Sequence, residues 1–195
     1  RATQNISWYG EIKLHDQIIK IDSFKGTRDR SWGLRPIGNK DNKETKHTEA
    51  PQFYWIWTPM NFPNHCIFYH RNDDSLGKAW NCRAVVDNLE ENSRLEITSP
   101  KIEIDYKKNT RRINGLKIKL EDAELEFIPG RVFYMQGLGY THPEWGHGNN
   151  HGKLEVGFDI IDLDKAESEL AKGLIHNLHI QTLSKIKFRT PEIFI

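Results

Sequence analysis

The chain has 195 residues and nearly balanced charge, with 28 lysines and arginines against 27 aspartates and glutamates. A net charge of +1 excludes the general electrostatic attraction that draws basic proteins to nucleic acids or anionic membranes, so we expect no nucleic-acid partner. No apolar run approaches the roughly 20 residues of a membrane helix, so we also expect no integral membrane segment. The length suits one all-β domain, and we predict a single domain over residues 1–195.

Apolar residues recur with a period of two along most of the chain, which is typical of β-strands. The runs 12–14 and 18–21 flank the polar segment His15-Asp16-Gln17 and predict a hairpin. The strand that contains Trp57 is apolar on both faces, which favours a central position in a sheet. Half-buried antiparallel strands are predicted at residues 95–97, 102–104, 116–120, 125–127, 153–161 and 179–188.

Turn signals separate these strands at residues 72–74, 109–110, 114–115 and 129–130. About ten short strands with turns at this spacing predict an all-β, antiparallel barrel or sandwich, which we expect to close around an apolar cavity. The single short helix is predicted at residues 164–172, where Gly173 can end it.

The two cysteines, Cys66 and Cys82, are too few for a disulfide framework. A reducing compartment is therefore the simpler interpretation, and the cytoplasm is the expected location. The two thiols would pair only if the segments around them are neighbouring strands.

A first candidate loop spans residues 26–36 and is unusually rich in arginine. Its candidate residues are Asp29, a proton donor or acceptor, and the ligand contacts Arg28, Arg30, Trp32 and Arg35. In an extended chain Arg28 and Arg30 share one face and Asp29 takes the other. Two interpretations stay open: a polar cluster at the mouth of a cavity, or an ion-pair cluster that only stabilises the fold.

A second candidate loop spans residues 139–148 and combines glycines with histidines. Its candidates are the acid–base residues His142 and His147 and the ligand contacts Tyr140, Glu144 and Trp145. The spacing of the histidines is poor for zinc, so no metal is predicted, and no cofactor motif is present. The histidines could instead be structural groups with satisfied hydrogen bonds.

Three further side chains are candidates to line a ligand cavity. Tyr54 and Trp57 belong to a segment dense in aromatic residues, which an apolar ligand site requires and a core requires equally. His179 is one of a pair of histidines, of which one could face inward.

The two loops resemble those of a lipocalin-like superfamily that contains carotenoid 1,2-hydratase and the AttH-like proteins. The matching segments are Gly26-x-Arg-Asp-Arg-Ser-Trp-Gly-x-Arg35 and Gly139-Tyr-x-His-Pro-Glu-Trp-Gly-His-Gly148, and the likeness to the uncharacterised branch runs from about Trp8 to Phe188. The resemblance implies a lipocalin-like fold of two units in tandem, of which this chain matches the second. It also places the aspartate that protonates an alkene at Asp29, although Thr27 stands where the hydratases carry tyrosine.

Three functions remain open from the sequence. The first is hydratase- or isomerase-type acid–base chemistry on a hydrophobic polyprenoid or polyketide-like molecule. The second is binding of a hydrophobic ligand or lipid without reaction, and the third is a structural role as one half of a two-unit protein. The expected partners are therefore a hydrophobic small molecule and either an N-terminal lipocalin-like unit or a second copy of the chain. Arginines beside Asp29 favour its ionised form, whereas alkene protonation needs the protonated one.

Overall fold

The structure, a computed structural model, describes residues 2–32, 54–110, 112–135, 151–158, 160, 162, 164–165 and 179–189. Strands make up 71 % of these residues, and every strand pairing is antiparallel. The all-β, antiparallel fold class and the expected number of about ten strands are confirmed. The described strands form three sheets with open edges and not one closed barrel.

Two compact units divide the chain. Unit 1 comprises residues 1–34 and 46–100, and unit 2 comprises residues 35–45 and 101–195. The single domain and the lipocalin-like tandem arrangement stay predictions.

Unit 1 begins with a long hairpin, as the sequence predicts. Strand β1, Ala2–Leu14, pairs with β2, Gln17–Arg30, and His15 and Asp16 form the turn. His15 adopts a positive φ of 51°, which a tight two-residue turn requires. A bulge between Trp8 and Gly10 interrupts the ladder midway along the hairpin.

The second sheet of unit 1 is a meander of four strands in chain order. They are β3 (Tyr54–Asn61), β4 (His65–Asp73), β5 (Ala79–Asn88) and β6 (Ser93–Ile97). One face is a core that includes Ile56, Met60, Ile67, Tyr69, Ala84, Val86 and Ile97. Because β4 is buried on both faces, its sequence shows little polar–apolar alternation.

Unit 2 contributes a second four-stranded meander. Its strands are β7 (Lys101–Tyr106), β8 (Ile113–Leu120), β9 (Ala123–Met135) and β10 (His179–Arg189). Alternate residues are buried, including Leu116, Ile118, Leu120, Leu125 and Phe127, while the residues between them are mostly charged. The period-two pattern of these segments therefore predicted both the strands and their buried face.

The central position predicted for the strand around Trp57 is wrong among the described strands, because β3 lies at the edge of their four-stranded sheet. Both of its faces are nevertheless at least partly buried: Ile56 and Met60 are buried on one, and Trp55 and Trp57 are half-buried on the other. Burial on both faces accounts for its apolar composition.

Several turn signals mark other features. Asn72 and Asp73 are buried inside β4, and the turn begins at Asp74, whose carboxylate accepts hydrogen bonds from the amides of Leu76 and Lys78. Asn114 and Gly115 lie inside β8. The signal at residues 109–110 is confirmed by a turn in which Asn109 has a φ of 61°.

Pro129 and Gly130 also lie inside a strand, β9, at a bulge where Gly130 and Arg131 are together opposite Leu183 of β10. A Cβ on Gly130 would come within 2.8 Å of the carbonyl oxygen of Leu183. Glycine at this position therefore permits a close backbone approach instead of a turn.

The strand predicted at residues 153–161 and the helix predicted at residues 164–172 are not confirmed. Residues 153–158 and 160 are not in a strand, although their apolar and polar residues alternate, and Leu154 and Phe158 are almost fully exposed. A strand needs a hydrogen-bonding neighbour, and these residues have none in the part of the chain described. The helix predicted for residues 164–172 lies almost wholly outside the described residues.

The cysteines lie on neighbouring strands, but they do not form a disulfide. Cys66 of β4 is opposite Asp87, and Cys82 of β5 is opposite Arg71, so their positions differ by five residues along the ladder. That offset is about 17 Å, far beyond the reach of a disulfide.

Candidate functional site

The first half of the predicted loop at residues 26–36 is strand. Gly26–Arg30 form the end of β2, where Arg28 pairs with Gln4 and Asp29 pairs with Thr3. Arg28 and Arg30 therefore share one face of the hairpin and Asp29 takes the other, as predicted for an extended chain. The loop expectation is wrong for these residues because β1 supplies a hydrogen-bonding partner that the sequence pattern of β2 does not reveal.

The side chains of this segment are exposed. The carboxylate of Asp29 accepts a hydrogen bond from the hydroxyl of Thr3 at 3.1 Å, and the guanidinium of Arg28 donates to the side-chain oxygen of Gln4 at 3.0 Å. Trp32 follows the strand with 69 % of its surface exposed. Both hydrogen bonds join β1 to β2, so they stabilise the base of the hairpin.

The remaining predicted residues are only partly described. Tyr54 and His179 are the first residues of β3 and β10. Six others lie outside the described residues and stay predictions: Arg35, Tyr140, His142, Glu144, Trp145 and His147. Among the predicted site residues whose side chains the structure describes, Trp57 belongs to a larger cluster of polar and aromatic groups.

That cluster lies on the face of the β3–β5 sheet opposite the core of unit 1. Strand register orders it in two rows: Trp55 is opposite Asn72, which is opposite Asn81, and Trp57 is opposite His70. These five residues are hereafter the Trp–His surface. All except the buried Asn72 are partly accessible to solvent.

Hydrogen bonds fix the polar groups of this surface. The indole N–H of Trp55 donates to Nε2 of His70 at 2.7 Å, with the two rings nearly perpendicular at 87°. The side-chain amide of Asn81 lies 3.2 Å from Nδ1 of His70 and 3.1 Å from the side-chain oxygen of Asn72. An indole, an imidazole and two amides therefore form one connected network on the sheet.

The donor in this network determines the tautomer of His70. Indole nitrogen can only donate, so Nε2 must be unprotonated and the proton of the neutral ring must be on Nδ1. The side-chain nitrogen of Asn81 donates to the side-chain oxygen of Asn72, so the network runs from Trp55 through His70 to the two asparagines.

The core face of the same sheet also carries polar groups at this end. The guanidinium of Arg71 donates to the carboxylate of Asp73 at 2.8 Å, and this bond raises the pKa of Arg71. The hydroxyl of Tyr69 lies 3.8 Å from the sulfur of Cys82. Burial, with a further contribution from Cys82, raises the pKa of the Tyr69 phenol far above its ordinary value. Tyr69 therefore stays neutral across the physiological range.

The Trp–His surface offers binding groups more clearly than catalytic ones. Its tryptophans present apolar area, and below them the same face continues with the half-buried Pro59, Phe68 and Val85. His70, the two asparagines and the exposed Arg83, which is opposite His70, offer polar groups at one end of this face. Within the described residues, no group of three or more histidine, cysteine or acidic side chains is arranged to hold a metal ion.

The sequence interpretation missed Trp55, His70, Asn72 and Asn81. The turn signal at residues 72–74 places Asn72 in a turn instead of in a strand. The available signal was the run His70-Arg-Asn-Asp73 directly after the apolar residues 67–69, because polar residues that continue a buried strand need partners inside the fold.

These features define an all-β protein of antiparallel meanders with a mixed aromatic and polar surface on one sheet. The chain belongs to DUF8625, a family of unknown function, whose sequence profile matches residues 1–191. No curated protein and no solved structure is similar enough to the chain to count as a match. No helix among the described residues is long and apolar enough to cross a membrane.

Proposed function

We propose that this protein binds, without converting it, a small molecule that has an apolar body and one polar end group, and that the ligand contacts the Trp–His surface. The supporting observation is the register that places Trp55 and Trp57 beside the hydrogen-bonded groups of His70, Asn72 and Asn81. Ligand sites combine a large apolar wall with a few fixed polar groups in this way.

The orientation of the ligand follows from the order of apolar and polar residues along the Trp–His surface. Its apolar body lies over Trp57 and extends towards Phe68 and Val85, which are half-buried on the same face. Its polar group lies towards His70 and Asn81. A ligand of this kind belongs to the hydrophobic small molecules that the sequence analysis gives as the expected partner.

Acid–base catalysis at Asp29 draws less support from the surroundings of that residue. Protonation of an alkene requires an acid in a desolvated site with a shielded carbocation beside it. Asp29 is exposed and its carboxylate accepts a hydrogen bond from Thr3 across the hairpin. Hydratase-type chemistry by this protein stays a hypothesis, as do the roles of His142 and His147.

The test uses farnesol, an isoprenoid alcohol, and farnesene, the corresponding hydrocarbon, as probes. Their affinities are measured by displacement of 1-anilinonaphthalene-8-sulfonate from the native protein. We expect saturable binding of both, with farnesol about fivefold tighter because one hydrogen bond contributes about 1 kcal/mol. Gas chromatography with mass spectrometry of the recovered farnesol should show no hydrated product.

Two matched variants locate the site. Trp57→Ala should weaken farnesol binding at least tenfold, because a buried aromatic anchor contributes about 1.4 kcal/mol or more. Trp80→Ala removes a tryptophan that lies on β5 of the same sheet but is 62 % exposed, and it should change the affinity less than twofold. Equal loss in the two variants, or no saturable binding by the native protein, would refute the proposal, and a hydrated product would favour the enzyme.

A further inference from the structure

The distal half of the β1–β2 hairpin is strongly two-sided. The register places Trp8 opposite Phe24 and Ile12 opposite Ile19 on one face, which also carries Ile21 and Leu14. These six side chains, hereafter the hairpin face, are all apolar: Trp8, Ile12, Leu14, Ile19, Ile21 and Phe24. Five of them are exposed, with between 42 % and 55 % of their surface open to solvent, and Ile21 is half-buried.

The opposite side of the hairpin carries charged side chains together with the exposed Tyr9 and Ile18. Lys20 forms an ion pair with Glu11 at 3.3 Å, Lys13 is opposite Ile18, and the ammonium group of Lys25 donates to the hydroxyl of Ser7. Surface strands normally turn such a polar side to water and the apolar side to a core. Here the apolar side has the composition of a core face, yet solvent reaches it.

The base of the hairpin is attached to strand β3. The side-chain amide of Asn5 donates to the backbone carbonyl of Met60 on β3 at 3.0 Å, and Trp8 packs over Gly26, where a Cβ would clash with the indole. The hairpin face begins at Trp8 and extends from there to the turn. A two-stranded ribbon is at best marginally stable by itself, so this distal part needs another layer against its apolar side.

The exposed area indicates what that layer is. The six side chains expose on the order of 500 Å², within the range of the largest apolar patch on a typical monomer. Two such faces in contact remove about 1,000 Å² from water, which is the lower limit for a specific protein interface. A twofold axis lets the same patch cover itself in both copies.

Charge placement argues against a membrane as the covering layer. Lys13, Lys20 and Lys25 lie on the side that points away when the hairpin face meets a surface, so they would not reach anionic headgroups. The hairpin face itself carries no charged side chain and therefore complements an equally uncharged one. We propose that the hairpin face is the contact surface between two copies of this chain.

The test compares the same substitution on the two sides of the hairpin. Ile12 and Ile18 are 51 % and 58 % exposed, and the register places them on opposite sides. Light scattering coupled to size-exclusion chromatography, from 1 to 100 µM, should give the native chain twice the monomer mass of 22.8 kDa at the upper concentrations. Ile12→Lys should raise the dimer dissociation constant at least tenfold, and Ile18→Lys should leave it within twofold.

A second pair of variants guards against misfolding. Ile12→Thr and Ile18→Thr keep a β-branched side chain and therefore retain the strand preference. The same contrast is expected, with circular dichroism spectra unchanged. A native chain that stays monomeric at 100 µM would refute the proposal, whether or not it sediments with vesicles of phosphatidylcholine and phosphatidylserine. Equal weakening by the substitutions at the two positions would refute it as well.

Discussion

Trp55 and His70 lie on neighbouring strands, and the indole N–H of the first donates to Nε2 of the second at 2.7 Å. The residues are not directly opposite each other: Trp55 is opposite Asn72, while Trp57 is opposite His70. The bond therefore runs diagonally across the ladder and connects the two rows of the Trp–His surface. It also assigns the proton of the neutral imidazole to Nδ1.

Replacement of Trp55 by phenylalanine tests this relationship. Because Nε2 of His70 loses its donor while the apolar area is largely kept, we expect the free energy of unfolding to fall by about 1–3 kcal/mol. Urea denaturation measures the loss, and Trp80→Phe, at an exposed site, is the control with little expected change. Long-range nitrogen–proton NMR spectra of the native protein should show His70 protonated at Nδ1, and a proton on Nε2 would contradict the assignment.

The buried phenol of Tyr69 predicts a loss of stability at alkaline pH. Since its pKa is raised in the folded state by burial and by Cys82, with Arg71 acting in the opposite direction, the folded protein keeps a proton that the unfolded chain loses. The stabilisation is complete below pH 10 and decreases as the pH rises above it, by up to about 1.4 kcal/mol per pH unit. Urea denaturation at several pH values between 8 and 12 measures the slope.

Tyr69→Phe should remove this slope above pH 10. Tyr106→Phe, which changes an exposed phenol on β7, is the matched control and should keep the native slope. If the slopes of native protein and Tyr69→Phe coincide, the alkaline transition has another origin.

Asp29→Asn distinguishes an exposed hydrogen bond from a buried ion pair. The amide oxygen can still accept from Thr3, and exposed charge interactions contribute at most about 1 kcal/mol, so we expect a loss of that size or less. The shift in the urea midpoint at constant slope measures it. A loss of about 3–5 kcal/mol would instead indicate a buried ion pair at Asp29.

Gly130→Ala tests the close approach between β9 and β10. An added Cβ would meet the backbone oxygen of Leu183 at 2.8 Å, and because the backbone must move to relieve the contact, we expect a loss of about 1–3 kcal/mol. Gly115→Ala on the adjacent strand β8 meets only ordinary contact with Asp105, at 3.9 Å, and should be neutral or slightly stabilising. Thermal unfolding of both variants measures the difference, and equal melting temperatures would show that the ladder adjusts freely.

The interpretation of the sequence succeeded where a segment carried its own evidence. The alternation in Leu116-Lys-Ile-Lys-Leu120 and Leu125-Glu-Phe127 reports a period of two directly, so both strands and their buried face could be predicted. It failed where a local signal had two meanings. Asn72 and Asp73 indicate a turn by composition, but they are buried strand residues because Asn81 and Arg71 satisfy their polar groups.

The amino-acid sequence by itself determined that this protein is all-β and antiparallel, because side-chain periodicity is a local property of each strand. Only the tertiary structure decided which residues meet. Cys66 and Cys82 are on neighbouring strands yet five positions out of step, and Trp55 bonds to His70 because of the register between β3 and β4. Register and the cover on each face depend on segments distant in the chain, so no local pattern contains them.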